Sequence, residues 1–351
     1  MLKENDAIRK LLNVDVWHKA GYTGKGTTLV ILDSSKGKPR KGMECYYTDV
    51  FGTATESGHS SNVGQIAHEF AFEGKILYFD NTRNQDAVFL VVEKLAIEGK
   101  VDVINVSLAG LYGAETPNYL RYKELCEKYN ITMVCAVGND YYENRISYPA
   151  AYDFTIAVGS ASAKTLKVSS FSNKGMEIDI ASPSGVSIIN SEGVIWQPSG
   201  TSYTSPITAA LLLIYNQYLK ENGLVTLKPE ESRKLLRENS RDIEEEGFDI
   251  KTGHGLSCLP ATIPVIAPEV VGPEKEAAPP TEAKKLFRVL SKPYLDQDEA
   301  QAKADELKAK GIATYLVHSL QFGAFGVEQN AGNQQKKLLE EEDVVTYVAQ
   351  Y

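Results

Sequence analysis

Ser202 lies in the peptide Pro198-Ser199-Gly200-Thr201-Ser202-Tyr203-Thr204-Ser205-Pro206, just ahead of the apolar run Ile207 to Leu213. A serine placed there has a glycine behind it and a helix N-terminus ahead. The positive end of the helix dipole favours developing negative charge, which suits a nucleophilic hydroxyl. The same peptide also reads as an ordinary turn-to-helix junction. Three other segments bear on the choice. Gly21-Tyr22-Thr23-Gly24-Lys25-Gly26 precedes an apolar run that ends in Asp33. Gly58-His59-Ser60-Ser61-Asn62-Val63 brings an imidazole after a glycine. Val134-Cys135-Ala136-Val137 runs into the pair Gly138-Asn139. An imidazole titrates near neutrality and can take a serine's proton. Each residue has a plainer reading too: an aspartate closing a strand is often a turn former, and an asparagine after glycine suits a left-handed turn.

The elements that must position these groups alternate in character. Val30-Ile31-Leu32, Ile76-Leu77-Tyr78-Phe79, Val103-Ile104-Asn105-Val106, Met133 to Val137 and Thr155-Ile156-Ala157-Val158 are short and almost continuously apolar. Strands buried on both faces of a parallel sheet have this composition. Asp86 to Glu98 and Tyr119 to Tyr129 carry helical periodicity between them. The order predicts an α/β doubly wound, mostly parallel sheet, in which sites form at the carboxyl ends of the strands. Asp33 and Asn139 both fall at such ends.

Taken in the order Asp, His, Asn, Ser, the four segments resemble the subtilisin (subtilase) family of serine proteases over residues of about 8 to 258. Ile104-Asn105-Val106-Ser107-Leu108, Tyr148-Pro149-Ala150, Ala157-Val158-Gly159-Ser160, Ser169-Ser170-Phe171-Ser172 and Thr252-Gly253-His254-Gly255-Leu256 add to the match. The resemblance implies a subtilisin-like fold and a catalytic set of Asp33, His59 and Ser202. Asn139 would donate its side-chain amide to the oxyanion of the tetrahedral intermediate. Ser107-Leu108-Ala109-Gly110 would flank a bound protein or peptide substrate as an antiparallel edge, and Ala136 and Gly138 would border the P1 pocket. Among the five histidines, His18 falls in an amphipathic helix, His254 in a Gly-His-Gly turn and His318 in the C-terminal segment. That leaves His59 and His68, and the resemblance places the base at His59. Ser60-Ser61-Asn62 and Ser34-Ser35 depart from the family's usual residues at those positions, and Gln65 stands where a small residue is usual. These departures bear on packing, not on proton transfer. The alternative reading is a catalytically inactive relative that holds a peptide in the same cleft.

Composition narrows the partners. A net charge of -9 argues against nucleic acid, whose phosphates need a basic face. Four scattered cysteines (Cys45, Cys126, Cys135, Cys258) fit neither a disulfide framework nor a zinc site. No apolar run approaches membrane-spanning length, and Met1 to Asp6 lacks the apolar core of a signal peptide. The expectation is a protein made and folded in the cytoplasm, with no N-terminal prodomain and no membrane span. Phe70 to Lys75 is short where many secreted relatives hold calcium, so no metal or other cofactor is expected.

Beyond residue 260 the composition changes. Pro264, Pro268, Pro273, Pro279 and Pro280, set among Glu, Ala and Val, predict a semi-rigid linker over 261–283 after a peptidase domain of residues 1–260. Residues 284–351 read as strand (Leu286 to Leu290), helix (Asp296 to Lys310), strand (Ile312 to Val317), strand (Phe322 to Val327), helix (Asn333 to Glu341), strand (Val344 to Val348). This is a small α+β domain of βαββαβ order. Leu286-Phe287-Arg288-Val289, Glu299-Ala300, Leu307 to Gly311 and Ala313 to Val317 resemble the SPOR domain. That resemblance implies binding to peptidoglycan glycan strands and association with the cell wall after release. Subtilase propeptides share the βαββαβ order, and Val344 to Tyr351 resembles their final strand and tail, so an inhibitor or chaperone role stays open.

Overall fold

Side chains alternate between two faces of one sheet, and that alternation builds two separate cores. The computed structural model describes residues 1–34, 45–47, 58–82, 85–108, 117–190 and 192–265, with four strand segments between 287 and 350. The chain divides into two compact units, residues 1–266 and 267–351.

In the first unit two short helices, α1 (Asp6–Leu11) and α2 (Val14–Lys19), precede β1 (Thr28–Asp33). There follow β2 (Cys45–Tyr47), α3 (Gly58–Phe70), β3 (Lys75–Asp80), α4 (Gln85–Ile97), β4 (Val103–Val106), α5 (Pro117–Tyr129), β5 (Thr132–Ala136), β6 (Ile156–Ser162) and β7 (Ile180–Ser184). A hairpin of β8 (Ile188–Ile189) and β9 (Ile195–Trp196) leads to α6 (Ser205–Glu221) and α7 (Pro229–Asn239). Seven strands form one sheet in the order β2-β3-β1-β4-β5-β6-β7. Every neighbouring pair in it runs parallel. The five expected strands are present, Val103–Val106 with the expected bounds and the other four with shifted ends. β2 and β7 extend the sheet beyond them. Ser182, Pro183 and Ser184 interrupt the apolar run of β7, which hid it from a periodicity reading.

Leu29 and Ile31 face a core shared with α1, α2, α3 and α6, while Val30 and Leu32 face the core under α4 and α5. Helix α6 is buried nearly all round, as a helix at the centre of a large domain must be. It packs against α3 and lies across β4 and β5. Gly64 of α3 makes a close approach possible: a Cβ there would lie 1.7 Å from the hydroxyl oxygen of Tyr78 in β3. The strand order switches at β1, with β2 and β3 on one side of it and β4 to β7 on the other, so the carboxyl ends of β1 and β4 open side by side.

The first unit ends in a strap. The Leu259 N–H donates to the Leu12 carbonyl at 3.1 Å. Asn13 Nδ2 donates to the Leu259 carbonyl at 2.7 Å. Trp17 Nε1 and the Tyr218 hydroxyl each donate at 2.9 Å, to the carbonyls of Pro260 and Pro264. Contacts with the body therefore run four residues past the boundary read at residue 260. In the second unit β10 (Phe287–Ser291), β11 (Thr314–Leu316), β12 (Leu320–Phe325) and β13 (Thr346–Gln350) pair antiparallel in the order β11-β12-β10-β13. The helices expected at 296–310 and 333–341, and linker residues 266–283, lie outside the described residues. Among the described residues no helix is long and apolar enough to cross a membrane, and no group of three or more His, Cys, Asp or Glu is placed to hold a metal ion.

Candidate active site

Asp33 is the last residue of β1 and is fully buried. Its Oδ1 accepts the Ser34 N–H at 2.6 Å and the Ser34 hydroxyl at 3.1 Å, which fixes the carboxylate against its own backbone. His59, the second residue of α3, brings Nδ1 to 3.0 Å from both carboxylate oxygens. A buried carboxylate that accepts from Nδ1 assigns the proton to that nitrogen and leaves Nε2 as the basic one. The imidazole is about one-third exposed, so its outer edge reaches solvent.

Ser202 sits in the single 3₁₀ turn Thr201–Tyr203 that leads into α6. Gly200, at φ 137°, makes the bend before it. The turn is clamped to the end of β4. The Ser107 hydroxyl donates to the Ser202 carbonyl at 2.8 Å, and the Ser202 hydroxyl donates to the Ser107 carbonyl at 3.1 Å. Asn105 Nδ2 donates to the Ser107 hydroxyl at 2.9 Å, and Ser205 Oγ lies 3.2 Å from it. Ser107 thus holds the Ser202 turn with its side chain, a role its sequence context did not suggest. Leu108 is partly exposed beside it, whereas Ala109 and Gly110 lie outside the described residues.

Asn139 lies three residues beyond β5 and is exposed. Its Oδ1 accepts the Thr201 N–H at 2.7 Å and the Thr201 hydroxyl at 3.1 Å. With the carbonyl end of the amide held twice, Nδ2 is left to donate outward, beside Gly200. A Cβ on Gly200 would stand 3.6 Å from that nitrogen. Ala136 and Gly138 are buried behind Asn139. Four chemical groups from β1, α3, the β5 loop and the turn before α6 are therefore gathered at one end of the sheet.

Residues missed in the sequence complete the arrangement. Thr201 sits between the glycine and the serine, and its hydroxyl also accepts the Gly138 N–H at 3.2 Å. The Tyr203 ring lies 5.4 Å from the His59 ring, and Asn62 hydrogen-bonds its phenol. Burial pushes that phenol's pKa up, and the Asp33 charge adds to the shift. The unusual Asn62 thus links the histidine helix to the serine turn. Ser60, Ser61 and Gln65 are buried on the inner side of α3.

The subtilase family profile matches residues 48–255. The chain is 31% identical over 182 residues to the major intracellular serine protease of Bacillus subtilis strain 168, covering 50% of this chain and 56% of that protein. It is 28% identical over 239 residues to subtilisin DY of Bacillus licheniformis, covering 59% of this chain and 83% of that one. It spans only 38% of a third relative, the minor extracellular protease Epr of Bacillus subtilis strain 168, at 26% identity over 68% of this chain. Among solved structures, the prenylagaramide maturation protease PagA aligns with TM-score 0.57 at 20% identity, over 69% of this chain and 95% of that one. A cold-adapted subtilisin-like serine proteinase aligns with TM-score 0.55 at 22% identity, over 67% and 89%.

Proposed function

Because the chain belongs to the subtilase family, we propose that it is a serine endopeptidase acting through Ser202, His59 and Asp33. The observation that carries this reading is the His59–Asp33 pairing at 3.0 Å at the end of β1, next to the end of β4 where Ser202 is clamped. In this mechanism Ser202 Oγ attacks the carbonyl carbon of the scissile amide while its proton passes to His59 Nε2. The hydroxyl leaves the Ser107 carbonyl as the new bond forms. Asp33 stabilises the imidazolium and holds its orientation. The oxyanion takes hydrogen bonds from Asn139 Nδ2 and the Ser202 N–H. In subtilisin, itself a member of this family, losing such an asparagine lowers kcat by about 10²–10³-fold. The intermediate collapses as His59 returns the proton to the leaving amine. Water then attacks the acyl-enzyme with His59 again as base, releasing the acid and restoring the serine. The substrate is a protein or peptide held along Ser107 to Gly110, its P1 side chain bordered by Ala136 and Gly138.

A fluorophosphonate probe tests the reading. It should label the folded wild type and leave Ser202→Ala unlabelled. Folded wild type that resists labelling is instead a peptide-binding relative without catalysis. The resemblance of residues 284–351 to the SPOR domain supports a peptidoglycan-binding tail on the peptidase domain. Full-length Ser202→Ala should sediment with peptidoglycan, and the chain ending at residue 265 should not. If the same truncation made in the wild type raises proteolysis and wall binding is absent, the tail is an inhibitor.

A further inference from the structure

We infer that Asn173, which the mechanism does not use, is the positioning residue that sets the loop bearing Asn139; the inference rests on the oxyanion role proposed above. Asn173 is fully buried and lies in the segment joining β6 to β7. Its Oδ1 accepts the Asp140 N–H at 2.8 Å and the Tyr142 N–H at 3.2 Å. Its Nδ2 faces three acceptors: the Val137 carbonyl at 3.0 Å, Asp140 Oδ2 at 3.1 Å and the Ser147 hydroxyl at 3.3 Å. Its own N–H donates to the Gly138 carbonyl at 3.1 Å.

Asn173 therefore bonds residues 137, 140 and 142 through its side-chain amide and residue 138 through its backbone N–H, on both sides of Asn139. Beyond β5, which ends at Ala136, the ladder gives way to isolated backbone bonds: the Val137 N–H to the Val158 carbonyl at 3.2 Å, the Tyr141 N–H to the Phe171 carbonyl at 3.3 Å and the Lys174 N–H to the Tyr142 carbonyl at 2.7 Å. A side chain that satisfies its peptide groups one after another takes the place of a ladder. Gly138 shows how tightly the loop is wrapped. It adopts φ 101°, and a Cβ there would fall 2.4 Å from Asn173 Nδ2 and 2.6 Å from Ser147 Oγ. Thr201 fixes the rotation of the Asn139 amide, and Asn173 fixes where its backbone stands. An oxyanion donor acts only within a few tenths of an ångström of its productive place, so a shifted loop lowers transition-state binding and leaves ground-state binding nearly untouched.

The test is a double-mutant cycle on the full chain. Asn173→Asp keeps the size and the acceptor but loses the NH₂ donor and sets a charge against Asp140. It should lower kcat by about tenfold or more with KM changed by less than about threefold. In an Asn139→Ala background the same substitution should change kcat by less than about threefold, because the group it positions is gone. Ser147→Ala, which removes a single acceptor, repeats the cycle mildly in case Asn173→Asp folds poorly. Fluorophosphonate titration counts active sites so that kcat refers to folded enzyme. An equal loss in both backgrounds, or no loss in either, overturns the inference while leaving the proposed mechanism standing. An Asn139→Ala enzyme as fast as wild type overturns the oxyanion reading and this inference with it.

Discussion

Thr201→Val separates the two duties of a buried threonine at nearly constant volume. The substitution removes the hydroxyl that donates to Asn139 Oδ1 at 3.1 Å and accepts the Gly138 N–H at 3.2 Å. It keeps the backbone N–H that holds Asn139 Oδ1 at 2.7 Å. The Gly138 donor is then left buried without a partner, which costs about 1–3 kcal/mol of folding stability. For a domain of this size each kcal/mol lowers Tm by roughly 2–4 °C. The Asn139 amide loses one of two tethers, a neutral hydrogen bond worth about 0.5–1.5 kcal/mol. If that tether is felt in the transition state, kcat falls by about 2–12-fold. The loss is far smaller than the roughly 10²–10³-fold expected on removing the amide itself. Calorimetry gives the first quantity, and initial rates on a chromogenic peptide give the second. Thr201→Ser, which restores the hydroxyl, should recover most of both. Wild-type Tm and kcat in the valine variant would refute the reasoning, as would a serine variant no better than valine.

Gly64→Ala should destabilise the first unit by about 1–3 kcal/mol or more, because its methyl group collides with the buried Tyr78 hydroxyl, and a thermal melt reads it directly. His18 donates from Nε2 to the Phe70 carbonyl at 2.7 Å, and burial foremost, with Arg9 adding, lowers its pKa from 6.5. The folded state thus favours the neutral ring. This contribution is complete above pH 6.5 and is lost as the pH falls from there through the lower folded value. Tm of wild type should therefore drop more between pH 7.5 and 5 than Tm of His18→Gln; parallel curves would show that His18 carries none of the pH dependence. A chain ending at residue 257 should melt below one ending at residue 265. The shorter chain leaves Trp17 Nε1 and Asn13 Nδ2 without the Pro260 and Leu259 carbonyls, and equal melting temperatures would discount the strap.

Much of the fold was legible because apolar periodicity is local. Five runs of continuous hydrophobic character marked five of the seven strands, since a strand covered on both faces is generally apolar along its length. β7 was not legible for the same reason: its serines and proline break the pattern although burial does not. In the tail, four strands lie near the expected places, and their pairing order was beyond a periodicity reading.

The residue types alone supplied the candidate chemistry of this protein. Ser202, His59, Asp33 and Asn139 are groups fit for acyl transfer, and their local contexts put them at strand ends and helix starts. Only the tertiary structure decided how each is held. His59 meets Asp33 across 26 residues, and Asn139 is turned by Thr201 across 62. Ser107, expected at the substrate edge, clamps the serine turn across 95 residues. Asn173 reaches Val137 across 36. Hydrogen bonds of that span depend on where the loops between them run. Side-chain spacing along the chain carries no record of such paths, because directional contacts are set by packing in three dimensions.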